Sequence, residues 1–178
     1  LEMNNSHFIE NHNSIIKNGV ISYKNVELGF EKVGYNATTI GANGLYTTLD
    51  DLCQWVKNYH SQTVGSSLVH KMLNSIPKIE NGTVDLKLDY GFGQNFEEYR
   101  GEKFIWHDGS DAAYKTFIGR FPDHGVSIIL LSNLESTDPF KTVCKIADIV
   151  LEEKLSKPLP ISNEEPYIFL PDAVEKAI

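Results

Sequence analysis

The chain has 178 residues, 41 % hydrophobic and 22 % charged, with a formal net charge of -8. That is long enough for one domain with a real core, and the composition is that of an ordinary globular protein. The acidic balance excludes general nucleic-acid binding and polybasic attachment to anionic lipid, both of which need a basic footprint, and no apolar run approaches the roughly 20 residues of a membrane helix.

Residues 1–40 are polar and rich in Asn, with short strand-like pieces such as Val20-Ile21-Ser22-Tyr23, and read as a long excursion over a domain surface. No signal peptide is visible. Leu1 does not look like a natural start, and Leu1-Glu2-Met3-Asn4-Asn5 reads as the middle of a protein. After the turn Gly41-Ala42-Asn43-Gly44, Thr47 with Asp50 or Thr48 with Asp51 has the spacing of a hydroxyl cap with an acid three residues on. Leu49, Leu52, Cys53, Val56 and Tyr59 then share one helical face, which predicts a helix over residues 49–60. A second helix is expected over 66–75, and Asn81-Gly82 is a turn signal.

Tyr90-Gly91-Phe92-Gly93-Gln94 begins a run of strands. Phe104-Ile105-Trp106 reads as a short strand ending at His107. Tyr114 to Phe121 is a second, alternating Lys115, Phe117 and Gly119 against Thr116, Ile118 and Arg120. The turn Pro122-Asp123-His124-Gly125 leads to a third, Val126 to Leu131, apolar enough to be buried. Short turns between neighbours imply an antiparallel sheet. Asp138-Pro139 is a helix cap with proline at the first helical position. Phe140, Val143, Cys144, Ala147, Val150 and Leu151 form the apolar face of a helix that should pack on the sheet. The two cysteines, Cys53 and Cys144, fall at apolar helix positions and read as buried thiols rather than a disulfide. After Lys157-Pro158-Leu159-Pro160 the chain becomes linker-like, and residues 166–178 read as the start of another element.

Several segments together resemble the serine β-lactamase and penicillin-binding-protein-like hydrolases, nearest the class C and esterase-like branch. Gly41 to Trp55 is similar to that family's glycine turn and following helix, and Tyr90-Gly91-Phe92-Gly93 to a later strand. His107-Asp108-Gly109 resembles the third motif, Lys-Thr-Gly in β-lactamases and often His-x-Gly in esterase-like members. Ile128 to Asn133 resembles the last central strand, and Leu1 to Phe8 the segment shortly after the second motif, Tyr-x-Asn. The resemblance implies an α+β fold: an antiparallel sheet of about three strands with flanking helices, a partial β-lactamase/transpeptidase-like domain. Residues 1–157 would be the C-terminal part of a catalytic domain and 158–178 a linker with the start of a following segment.

The nucleophile motif Ser-x-x-Lys and the Tyr-x-Asn motif are then expected upstream of Leu1. Ser67 with Lys71 is one residue too long for the motif. Ser14-Ile15-Ile16-Lys17 fits its letters but sits in a polar stretch and opens no apolar helix. By this resemblance the parent protein is a serine-dependent acyl hydrolase acting on an ester, a peptide or other amide, or a β-lactam, and the fragment alone is inactive. The alternative is a non-catalytic ligand-binding or sensor relative of the same fold.

The visible catalytic wall is then His107, Gly109 and Ser110. Acyl transfer needs donors for a developing oxyanion, and the resemblance assigns one of them to the Ser110 N–H. Gly109, without a Cβ, would let backbone approach substrate closely. His107 stands where β-lactamases carry lysine. A histidine with an unperturbed value near 6.5 is mostly neutral at pH 7, so weaker dependence on a substrate carboxylate and more tolerance for esters or peptides are expected. Asp108, Asp111 and Tyr114 are candidate substrate contacts; solvation is the plainer reading for the two acids, and for the tyrosine a place in the pocket and a place in the core are equally open. His7 and His12 fit no zinc pattern, and no cofactor is implied. His60, His70 and His124 read as surface or helix-end residues. The expected partners are a small-molecule or peptide substrate, the missing N-terminal part of the same domain, and a second copy through exposed apolar surface. A periplasmic, secreted or membrane-associated location is the family expectation.

Overall fold

The computed structural model describes residues 1–9, 15–34, 40–41, 43–74 and 90–158. The Asn81-Gly82 turn, Ser14, His12 and the segment 166–178 lie outside the described residues. In chain order the elements are β1 (His7–Phe8), β2 (Ser22–Val26), β3 (Gly29–Val33), β4 (Leu45–Tyr46), α1 (Leu49–Ser61), α2 (Ser67–Leu73), β5 (Tyr90–Gly91), β6 (Gln94–Tyr99), β7 (Glu102–Asp111), β8 (Tyr114–Phe121), β9 (Val126–Ser132) and α3 (Pro139–Val150).

Strands β5 to β9 form one antiparallel sheet in sequence order. Five strands are seen rather than about three because β5 and β6 extend the meander. Three of its connections are two-residue turns with both residues at positive φ: Phe92-Gly93 (53° and 73°), Arg100-Gly101 (50° and 93°) and Ala112-Ala113 (43° and 66°). Such mirror-image turns match the right-handed twist of the strands they join. At Ala112 and Ala113 no glycine relieves the left-handed conformation, so this turn is held by what surrounds it. The buried Ser22 hydroxyl donates to the Ala112 carbonyl, and the Tyr114 hydroxyl donates to the Val20 carbonyl. The Val20–Tyr23 segment is itself fixed to the chain after β9, through Tyr23 N–H to Asn133 O at 2.8 Å and Glu135 N–H to Tyr23 O at 2.9 Å. The polar N-terminal stretch therefore contains a hairpin, β2–β3, whose root braces the far end of β7 and β8.

The alternation read from β8 holds, and it divides the sheet into two faces. Phe117, Gly119 and Phe121 lie on the α3 side with Phe104 and Trp106, in register with Ile128 and Leu130 of β9. There the Phe104 and Phe121 rings stack at 4.7 Å, and Trp106 meets Phe117 and the α3 residue Phe140, each at 5.1 Å. Val143, Ala147 and Leu151 complete this core. Asp138 caps α3 by accepting from the Lys141 N–H at 2.9 Å, with Pro139 in the first turn as expected. Tyr99 O–H and Arg100 both reach Asp148 on α3, at 2.9 and 2.6 Å, tying the helix to the β6–β7 turn.

The other face carries Ile105, His107, Gly109 and Asp111 of β7 with Arg120, Ile118, Thr116 and Tyr114 of β8. Helix α1 lies on this side. Its cap is Thr48, accepting from Asp51 N–H at 3.2 Å, which selects the second of the two expected cap pairs. Asp51 is buried because the N-terminal segment covers it: Ser6 O–H donates at 2.6 Å and the Asn5 N–H at 2.8 Å. Arg120, only 4 % exposed, is held by neutral groups. It bonds Asn74 Oδ1, the Leu73 carbonyl at the end of α2, and Gln94 Oε1, and its guanidinium lies 3.7 Å from the Tyr59 ring centre. A cation at a helix C-terminus is favourable, so Arg120 pins both helices to the sheet; its desolvation lowers its pKa from the usual arginine value. His70, expected at the surface or at a helix end, lies in the last turn of α2 and is only 2 % exposed, with Nε2 at 2.9 Å from the Val64 carbonyl.

Candidate active site

β7 is ten residues long, and its two neighbours cover different parts of it. β8 pairs with Ile105 through Asp111, but β6 pairs only with Glu102 through Trp106. From His107 onward one edge of β7 has no strand beside it among the described residues. Which backbone groups face that edge follows from the turns. A two-residue turn is closed by a hydrogen-bonded pair, and bonded pairs alternate along an unbroken antiparallel ladder. Asp111 and Tyr114 close one turn, so Asp111, Gly109 and His107 direct N–H and C=O toward β8. Tyr99 and Glu102 close the other, so Glu102, Phe104 and Trp106 direct theirs toward β6. Both ends agree that Asp108 and Ser110 present their N–H and C=O at the open edge.

Side chains alternate the opposite way. His107 and Gly109 share the α1 face, whereas the side chains of Asp108 and Ser110 lie on the α3 face. His107 is exposed, with Nε2 at 3.2 Å from the Tyr90 hydroxyl and the two rings 6.0 Å apart. The Ser110 hydroxyl accepts from Lys115 Nζ at 2.6 Å on the reverse face. Gly109 has a packing role: a Cβ there would lie 2.3 Å from Thr116 Oγ1, so the glycine makes room for the threonine hydroxyl. Asp111 is half-buried, and its Oδ2 is buried without a hydrogen-bond partner. Tyr114 lies edge-on to Tyr46 at 6.3 Å, and Tyr46 stacks on His7 at 6.4 Å.

Sequence reasoning missed Tyr90 as the partner of His107 and Thr116 as the partner of Gly109. Both relations depend on cross-strand register, which the letters carry only once the two-residue turns are recognised. Ser67 begins α2 and lies outside this constellation. Among the described residues no group of three His, Cys, Asp or Glu is placed to hold a metal ion.

The family model described as Beta-lactamase matches residues 1–151. The chain belongs to the beta-lactamase family. Among solved structures this beta-lactamase-family chain is similar to the penicillin binding protein from Bacillus halodurans, with a TM-score of 0.64 and 15 % sequence identity. That likeness is one of fold, and it covers 81 % of this chain and 44 % of the other, so the chain spans less than half the length of that protein. A search of curated proteins found no match. The expected α+β architecture, an antiparallel sheet with flanking helices, is the one observed.

Proposed function

We propose that this beta-lactamase-family chain supplies one wall of a serine-dependent acyl-hydrolase site, with the Ser-x-x-Lys nucleophile outside residues 1–178. The observation that supports it most is the open edge of β7, where the Ser110 N–H faces outward beside His107. An acyl group on a serine opposite this edge would place its carbonyl oxygen against that N–H. The donor is preorganised because its own carbonyl-side neighbours are fixed in the β8 ladder. His107, polarised by the Tyr90 hydroxyl, offers a hydrogen-bonding ring rather than a permanent charge at the mouth of the wall. Lys115 lies on the reverse face and Arg120 is buried against Asn74, Leu73 and Gln94, so neither of these β8 cations is offered to a substrate carboxylate. The favoured substrates are esters, amides or peptides without an obligatory carboxylate at that position.

The test is labelling with a fluorophosphonate or penicillin-type acylating probe, applied to residues 1–178 and to the protein as its gene encodes it. The longer chain should label at a serine outside residues 1–178, and the 178-residue chain should not label. Ser110→Pro removes the N–H that faces the open edge and should slow labelling by about 100- to 1000-fold, whereas Ser110→Ala, which loses only the hydroxyl that accepts from Lys115 on the reverse face, should not. Labelling of Ser14 or Ser67, or no labelling of either protein, would overturn the proposal.

A further inference from the structure

Past His107, β7 has β8 as its one neighbouring strand among the described residues, so the direction of the Ser110 N–H depends on the turn that joins these two strands. That turn is conformationally unfavourable. Ala112 and Ala113 lie at φ 43° and 66°, a region that residues with a Cβ rarely adopt and that persists only where the surroundings impose it.

What imposes it comes from 90 residues earlier in the chain. Val20, Ile21, Ser22 and Tyr23 lie across this end of the sheet as a strap, and each is bonded to it. The Val20 carbonyl accepts from the Tyr114 hydroxyl at the start of β8, and the Ile21 carbonyl accepts from Asn133 Nδ2 at 2.8 Å. The Tyr23 N–H donates to the Asn133 carbonyl at 2.8 Å, and the Tyr23 carbonyl accepts from the Glu135 N–H at 2.9 Å, which anchors the strap beyond the end of β9. Ser22 sits between these anchors, 0 % exposed, and its hydroxyl donates to the Ala112 carbonyl. A hydroxyl has one proton to give, and its other acceptor, the Val33 carbonyl, is farther off at 3.5 Å. The Ser22 bond therefore ends on the strained turn itself.

We propose that Ser22 is a positioning residue for the acyl-binding wall: by holding the Ala112-Ala113 turn in its left-handed conformation, it fixes the Asp111–Tyr114 pair and with it the direction of the adjacent Ser110 N–H. This role rests on the assignment of the β7 edge as that wall. Without the hydroxyl the turn relaxes toward the conformations alanine prefers, the end of the β7–β8 ladder frays, and the donor is no longer oriented before the oxyanion develops. Such donors act through their preorganisation. The N–H itself remains, so the loss is smaller than on its removal.

The experiment follows labelling by a penicillin-type acylating probe in the protein as its gene encodes it, separating the saturating rate from the half-saturating concentration. Ser22→Ala should lower the saturating rate about tenfold, the equivalent of one hydrogen bond, and leave the half-saturating concentration unchanged. Adding Ala112→Asn and Ala113→Gly, the residues such a turn favours, should restore the rate, because the turn then needs no clamp. Tyr114→Phe, which loosens the strap at Val20, should lower the rate in the same way and serves if Ser22→Ala does not fold. An unchanged rate in both Ser22→Ala and Tyr114→Phe, a loss that the turn substitutions leave in place, or a change confined to the half-saturating concentration would overturn the role of Ser22. If Ser110→Pro still slows labelling, the wall stands without it. No effect of Ser110→Pro, or no labelling at all, would overturn the wall and the role of Ser22 together.

Discussion

Gly109→Ala is the substitution whose cost the geometry defines most sharply. An alanine Cβ would lie 2.3 Å from Thr116 Oγ1, while the next threonine atom, Cβ, is 3.7 Å away. The first contact is far inside van der Waals range, and the second is ordinary. The strain therefore resides in one oxygen, and threonine, being branched at Cβ, can move it only by leaving its rotamer. Overpacking of this kind costs about 1–3 kcal/mol, or about 2–4 °C of melting temperature per kcal/mol in a chain of this size. Thr116→Ala removes the oxygen. In Gly109→Ala/Thr116→Ala the added methyl should fit, and the double mutant should be more stable than Gly109→Ala alone. Urea denaturation of all four proteins gives the cycle, with an expected coupling of about 1–3 kcal/mol. Additivity within about 0.5 kcal/mol would mean that the cost of a side chain at position 109 has another source, and the pairing of Gly109 with Thr116 would lose its significance.

Burial raises the Cys144 thiol to about 11, so a disulfide reagent at mildly alkaline pH should modify the half-buried Cys53 well before Cys144, as mass mapping would read; comparable rates would contradict the packing of α3. The Ser6 hydroxyl, ahead of the Asn5 N–H, holds the Asp51 carboxyl below its ordinary value against the opposing effect of burial. A depressed carboxylate stabilises above its unfolded pKa and stops doing so as pH falls through the folded one, so the stability advantage of wild type over Asp51→Asn should be complete near neutrality and vanish in acid. Parallel stability curves would refute this. Arg120→Met leaves Asn74 Oδ1 and Gln94 Oε1 without this donor, while the Leu73 carbonyl keeps the Gln94 Nε2 amide at 2.9 Å, and should cost about 2 kcal/mol in denaturation, with hydrogen exchange rising in α2 before α3; a loss below about 0.5 kcal/mol would show that the helices do not depend on this residue.

The elements with local signals were legible. Thr48 and Asp51, Asp138 and Pro139, and the alternation from Tyr114 to Phe121 each declare a start or a period within a few residues, and each appears where expected. What escaped were relations between distant segments. The β2–β3 hairpin was masked by its own composition: Lys24, Glu31 and Lys32 are exposed or paired with one another, so no apolar stripe marks it. β7 was read as ending at His107 because its later residues, Asp108, Gly109, Ser110 and Asp111, are poor strand formers; the ladder to β8 overrides that preference. His70 read as a surface or helix-end residue; it does sit in the last turn of α2, but nothing in its neighbours predicts that the Val64 carbonyl would draw it inward. For the candidate site, the motif letters named residues but not their orientation. That Ser110 shows its backbone to one side and its hydroxyl to the other depends on the two-residue turns at both ends of β7.

The alternation along β7 makes its free edge a ruler. Only Asp108 and Ser110 offer backbone groups there, and two residues of strand separate equivalent groups by about 7 Å. Gly109 between them is turned inward and contributes nothing. A ligand with a single carbonyl can engage one station, and a second, correctly spaced amide is needed to reach the other. Affinity along this edge should therefore rise in a step rather than gradually as a substrate is lengthened, and adding length without an amide at that spacing should yield no step.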